Sequence, residues 1–264
     1  MDGFSALRRS ALRPGSRALT ATSPAVLDFL APRAVQQPHL RRQFWGSSSS
    51  SSSSSSDAQS SPSGPTGSSG KPRYILNKRQ REFLDRALRV NQAGELAATL
   101  IYKAQTPQVV RSYPHLRPLM KHMYDQEAGH FSTFNNLIAK HQVRPTAMYP
   151  VWEMAATFLG WSTGAMGREA AMACTEAVET EIGSHYNEQV REILSWAAEA
   201  ESRGEELDEE ITDLLAQLRR IRDEELEHLD HAVENDAKEA KPYDPLVNII
   251  RYGCKGAIMI TEKI

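Results

Sequence analysis

Two segments of this chain carry the same pair of groups at the same spacing: Glu127 is followed three residues later by His130, and Glu225 by His228. Three residues is close to one helical turn, so on a helix each carboxylate and its imidazole face the same way. Both pairs interrupt rows that the apolar spacing assigns to a core. One row runs Leu116, Met120, Met123, Glu127, His130, Phe134, Leu137, and the other Ile211, Leu214, Leu218, Ile221, Glu225, His228, Ala232. Two further rows deliver one carboxylate each: Leu84, Leu88, Asn91, Glu95, Ala98, Tyr102, and Met172, Thr175, Glu179, Ile182, Tyr186, Gln189, Ile193. Unpartnered, ionised glutamates inside a helical bundle are costly, and four together also repel one another. Something cationic must sit among them. Four carboxylates and two imidazoles suit a pair of first-row metal ions, iron above all, and the lack of accompanying thiolates disfavours an iron–sulfur cluster.

A lone histidine on a core face is more often a hydrogen-bonded structural residue than a ligand. The doubled pattern, with one carboxylate from each preceding long segment, is what argues for metal. Glu176 and Glu181 flank Glu179, and Glu224 and Glu227 flank Glu225, but all four fall off the inward rows and read as solvated or as supports for the ligands. His185 and His231 stand one position off the rows, where orienting a carboxylate and making an ordinary surface contact are equal readings. Tyr186 faces inward, to pack or to hydrogen-bond a ligating carboxylate.

The rows belong to helices. From Asn77 onward the apolar spacing is helical and no stretch alternates as a strand would, so the body reads as all-α. Six helices are expected, at 78–105, 115–141, 151–163, 166–200, 207–240 and 245–262. The stops come from Thr106-Pro107, Tyr113-Pro114, Pro145, Pro150, Arg203-Gly204, Pro242 and Pro245. Gly160 and Gly164 suggest a bend between the third and fourth. Four long helices and two short ones make a four-helix bundle with two additional short amphipathic helices. A rise of ~1.5 Å per residue leaves Glu95 and Glu127 about 3 Å apart in height, and Glu179 level with Glu225 and His228. The set resembles the ferritin-like di-iron arrangement, one Glu from each of two helices and Glu-x-x-His from each of the others.

The rest of the chain is organised around that body. Residues 1–46 hold seven arginines, no lysine and only Asp2 and Asp28, a net of +5 against −2 for the whole chain, which leaves −7 for the remainder. An acidic remainder argues against a nucleic-acid-binding body. An Arg-rich, acid-poor leader reads as a mitochondrial transit peptide, the alternative being a merely disordered basic tail. Residues 47–70, nearly all Ser, Gly and Pro, read as a disordered linker, so the folded domain is 71–264. Cys174 and Cys254 are too far apart in sequence for a disulfide framework or a zinc motif and read as buried, inert thiols.

Four stretches resemble the mitochondrial demethoxyubiquinone hydroxylases of ubiquinone biosynthesis: residues 89–95 (RVNQAGE), 125–130 (DQEAGH), 173–179 (ACTEAVE) with His185-Tyr186-Asn187, and 222–228 (RDEELEH). The resemblance spans 74–264. It places six metal ligands on Glu95, Glu127, His130, Glu179, Glu225 and His228, with Glu127 and Glu225 bridging two iron ions. It departs at Asn91-Gln92, where many members carry Asp-His, and in a longer acidic segment at 199–210. It implies a di-iron monooxygenase that hydroxylates the ring of a polyprenylated demethoxyubiquinol, using O2 and electrons from NADH. It also implies a peripheral place on the matrix side of the mitochondrial inner membrane and a lipid-binding partner protein.

No Gly-rich nucleotide motif accompanies this, so the residues do not locate the entry of electrons. Ala93, Gly94, Ala97 and Ala98 leave room for a planar ring or serve close helix packing. Trp152, Phe158, Leu159 and Trp161, with Leu246, Ile249, Ile250, Ile258 and Ile260 beside Arg251, Lys255 and Lys263, offer a membrane or partner surface, the alternative being ordinary core. Ligands alone do not choose a reaction. A ferroxidase, a peroxidase and a non-enzymatic quinone-binding scaffold stay open.

Overall fold

The computed structural model describes residues 71–264. The expected leader at 1–46 and linker at 47–70 lie outside the described residues. Six helices form the body: α1 (Lys78–Ser112), α2 (Arg117–Lys140), α3 (Tyr149–Met166), α4 (Arg168–Ser202), α5 (Glu209–Glu234) and α6 (Tyr243–Thr261). The only β feature among the described residues is an isolated bridge between Arg73 and Glu206. α1, α2, α4 and α5 are the bundle, while α3 lies against α1 and α6 against α4. Of all the residues in the four inward rows, only Ile182 is incompletely buried.

Local chemistry sets the ends. Asn77 and Gln80 close a reciprocal cap at the start of α1, and the Asp208 carboxylate accepts from Glu210 N at the start of α5. Ahead of α1, Tyr74 N donates to Glu206 O and Glu206 N to Pro72 O, both at 2.8 Å. The buried Tyr74 hydroxyl accepts from Gln80 Nε2 and donates to Glu199 Oε2 at 2.7 Å. The acidic segment at 199–210 thereby clasps the residues that lead into the bundle.

Three expected boundaries differ. α1 does not stop at Gln105 but continues through Pro107, because Val109 and Val110 at 1% and 2% exposure are held in the core and packing outweighs the lost hydrogen bond. α3 does not bend at Gly160 and Gly164. A Cβ on Gly160 would lie 2.8 Å from Ile101 Cα, and one on Gly164 would lie 3.1 Å from Gln105 Cα, so both glycines let α3 approach α1. The break falls at Gly167, with φ 121°. α5 stops at Glu234 rather than near Ala240, where Asp236 takes a left-handed φ of 69° and a single 3-10 turn follows.

Candidate metal centre

Glu95, Glu127, His130, Glu179, Glu225 and His228 converge in the middle of the bundle, each at 2% exposure or less. α2 and α5 run antiparallel, so their Glu-x-x-His pairs interlock. His130 Nδ1 lies 3.0 Å from Glu225 Oε1 and 3.5 Å from Glu95 Oε2. His228 Nδ1 lies 2.9 Å from Glu127 Oε1 and 3.2 Å from Glu225 Oε2. α1 and α4 answer one another in the same way. Tyr186 OH donates to Glu95 Oε1, and Tyr102 OH donates to Glu179 Oε1 at 3.1 Å. Each tyrosine stands seven residues beyond the glutamate of its own helix and serves the glutamate of the other. One turn away, Asn91 and Gln189 exchange two amide bonds of 2.8 Å.

The imidazoles are oriented from behind. His130 Nε2 meets Glu224 Oε2 at 2.5 Å, and His228 Nε2 donates to Gln126 Oε1 at 2.9 Å. Each ring then turns Nδ1 toward the carboxylates. Glu224 is itself held by Arg220 at 2.9 Å. Its role had no signal in the inward rows, since it lies off them. Tyr102 did, because it occupies the same row as Glu95.

The cage is electrostatically incomplete. Glu95 Oε2, both oxygens of Glu127 and of Glu225, Glu179 Oε2, and Nδ1 of both histidines are buried without a hydrogen-bond partner. Burial and the neighbouring charge of Glu225 raise the carboxyls of Glu127 and Glu179 well above their ordinary range, and Glu95 follows for the same reasons. Burial opposes ionisation of Glu225 too, but the imidazoles of His130 and His228 overcome it and bring that carboxyl down to about 2. Burial would lower His130, yet Glu225 and Glu95 raise it to about 11.

The donors divide into two sets, Glu95, Glu127, His130, Glu225 and Glu127, Glu179, Glu225, His228, within each of which one atom per residue lies inside 4.8 Å of the others. Glu127 and Glu225 belong to both sets. Two divalent cations would balance four carboxylates and occupy the space toward which the orphaned oxygens and nitrogens point, so the residues fit a dinuclear centre.

A cavity of about 390 Å³ adjoins the cage on the Glu95 side, between α1, α3, α4 and α6. Ala93, Gly94 and Ala97 line it, as expected of room for a ring, whereas Ala98 packs in the core. Its walls are mostly apolar, with Ile101, Leu159, Val178 and Ile182 among them, and Asn91, Tyr186 and Thr261 add polar groups. His185 does not touch the carboxylates. It lines this cavity beside Tyr186, its Nε2 buried without a partner, and burial lowers its pKa to about 4.

Other off-row residues need correction. Glu176 and Glu181 are buried rather than solvated: Glu176 meets Lys238 and Tyr243, and Glu181 meets Arg251 and Lys255. The His231 ring approaches Glu227 and Glu234 on its own helix.

The chain matches the family described as Ubiquinone biosynthesis protein COQ7 over residues 82–261, a span that contains all six cage residues. The chain belongs to the COQ7 family. It is 45% identical over 190 residues to the 5-demethoxyubiquinone hydroxylase, mitochondrial, of Saccharomyces cerevisiae, covering 72% of this chain and 82% of the relative. It is 39% identical over 189 residues to the NADPH-dependent 3-demethoxyubiquinone 3-hydroxylase, mitochondrial, of Homo sapiens, with the same coverage. A 3-demethoxyubiquinol 3-hydroxylase of Rhodospirillum rubrum is 36% identical over 181 residues, covering 69% of this chain and 78% of the relative. No helix among the described residues is long and apolar enough to cross a membrane.

Proposed function

We propose that this COQ7-family chain is a mitochondrial enzyme of ubiquinone biosynthesis, a di-iron monooxygenase that hydroxylates the ring of a polyprenylated demethoxyubiquinol. The observation that carries the reading is a cage of two donor sets sharing Glu127 and Glu225 and opening, at Glu95, into an apolar cavity. In this reading Glu127 and Glu225 would be shared by two ions, Glu95 and Glu179 would each hold one of them, and His130 and His228 would offer Nδ1. Iron held there would supply the electron transfer that activates O2. The chain's own part is positioning and exclusion of water. Glu224 and Gln126 fix the imidazoles, Tyr102 and Tyr186 hold one oxygen of each terminal carboxylate, and the cavity walls keep water from the ring.

Ring C–H, O2, two electrons and two protons give ring C–OH and water. The electrons come from a reduced nicotinamide. The human relative is named for NADPH, whereas the sequence resemblance implies NADH, and parallel titrations with both decide between them. A ferroxidase or peroxidase has no use for an apolar cavity of this size, and a quinone-binding scaffold has none for the cage.

The membrane-facing role divides by residue. Phe158 and Trp161 on α3 and Ile249 and Ile260 on α6 are exposed, together with Met154, Tyr252 and Met259, and form the surface assigned to the inner membrane or a lipid-binding partner. Trp152, Leu159, Ile250 and Ile258 turn inward to the cavity, and Leu246 packs on the core. Matrix-side vesicle flotation of the body from Lys71 onward tests this face, and recovery only in the soluble fraction counts against it. The activity itself is tested with iron-loaded protein, a short-chain demethoxyubiquinol and 18O2. One labelled oxygen in the hydroxylated product supports the proposal, and no product, or label only from water, rejects it.

A further inference from the structure

Oxygen and nitrogen groups reach the wall of the cavity beside the cage from Asn91, Glu95, Trp152, His185, Tyr186 and Thr261. Nearly all of them are engaged with one another or with neighbours. Asn91 exchanges both halves of its amide with Gln189 at 2.8 Å, Trp152 Nε1 donates to Thr261 Oγ1 at 3.0 Å, and Tyr186 OH donates to Glu95 Oε1. The other oxygen of Glu95 belongs to the cage, 3.5 Å from His130 Nδ1. His185 is left over. Its Nε2 is buried and meets no partner. Burial holds its pKa down at about 4, so the ring is neutral, and a neutral imidazole carries one acceptor nitrogen. An acceptor buried in this way is costly until something donates to it.

We propose that His185 positions the substrate ring, its Nε2 accepting the hydrogen bond of one quinol hydroxyl. The inference rests on the quinol reading of the cavity. Aliphatic walls hold a flat ring without fixing how it is turned, because burial of apolar surface has no direction. One directed bond to a ring oxygen removes that freedom. His185 is suited by its place in the fold, because the next residue, Tyr186, holds the Glu95 carboxylate. Anchor and cage support are thus carried by the same turn of α4 and keep a fixed separation. The same bond confers selectivity. A ring without a hydroxyl leaves Nε2 unpaired, and a site built around a hydroxyl rejects such an analogue far more strongly than an apolar pocket rejects a change of one methylene.

Anaerobic binding titrations of the full chain test this, with Zn2+ supplied in place of iron so that the ring binds without turnover. The ligands are geranylhydroquinone and the hydroxyl-free geranylbenzene, and tryptophan fluorescence is the readout, since Trp152 lines the cavity. His185→Phe is expected to weaken geranylhydroquinone tenfold or more while geranylbenzene binds within twofold of wild type. His185→Gln, whose amide oxygen can accept, is expected to recover part of the loss. A variant His185→Phe that keeps the wild-type preference, or that weakens both ligands equally, overturns the proposal. Should His185→Phe not fold, as judged by its helical circular dichroism, the 15N resonance of His185 Nε2 in the wild-type chain decides: it is expected to shift with geranylhydroquinone and not with geranylbenzene, and an unmoved resonance overturns the proposal. A wild-type chain that binds neither ligand refutes the quinol reading of the cavity and the proposal with it, an outcome distinct from a chain that binds both alike.

Discussion

Replacing Gly160 by alanine pushes α3 away from α1. The added Cβ would stand 2.8 Å from Ile101 Cα and 3.0 Å from Ala104 Cβ. Carbon atoms rest at ~3.5–4.0 Å, so the helices must part by about 1 Å along a packed seam. Overpacking of this kind costs ~1–3 kcal/mol, against which the better helix propensity of alanine returns ~1 kcal/mol. The net loss is ~0–2 kcal/mol, which at ~2–4 °C per kcal/mol in a domain of this size lowers Tm by up to about 8 °C. Gly256 on α6 is the internal control, because a Cβ there meets nothing within 4 Å. Gly256→Ala gains propensity without strain and raises Tm by a few degrees. Thermal melting by circular dichroism at 222 nm on both variants separates the cases. A Gly160→Ala protein as stable as Gly256→Ala would refute the claim that a glycine contact seats α3 beside the cavity.

Metal-free protein should lose stability as pH rises from about 4.5. Glu95, Glu127 and Glu179 have raised carboxyl pKa values, so the folded state holds protons that the unfolded chain releases, and that stabilisation is present at low pH and lost as pH climbs through the folded values. His130, raised to about 11, adds a loss in the same direction above pH ~6.5. Glu225, lowered to about 2, loses its contribution as pH falls from about 4.5 to about 2, below the window tested. Urea midpoints between pH 5 and 8 check this, and a midpoint that rises with pH contradicts it. Glu224→Ala frees the His130 ring and is expected to weaken metal affinity ~10–100-fold in a chelator-competition titration, with a value like wild type counting against an orienting role. Tyr74→Phe removes the hydroxyl that Gln80 and Glu199 share, costing ~1 kcal/mol in denaturant melts while leaving turnover intact, since it lies at the end of the bundle away from the cage.

The cage was legible because burial and helical period act on the same residues. A glutamate or histidine that keeps the core spacing must be buried, and burying six such groups on four helices leaves few arrangements other than one shared centre. Tyr102 and Tyr186 were legible as inward residues but not as crossed partners, because their exchange depends on the antiparallel register of α1 and α4. Glu224 escaped for the opposite reason, lying off the row and acting from behind the ring. Two of the boundary differences share a cause: Pro107 and Gly160 have strong local preferences that contacts distant in sequence override. The salt bridges of Glu176 and Glu181 come from Lys238, Arg251 and Lys255, more than sixty residues later, which no local pattern reveals.

Anaerobic ferrous titration of the purified chain, read by iron content, Mössbauer spectroscopy and thermal melting, bears most directly on the dinuclear cage. Two ions per chain should bind and raise Tm, and loss of either shared carboxylate, Glu127 or Glu225, should abolish both together. A folded protein that takes up no transition metal and gains no heat resistance from ferrous ion would contradict it.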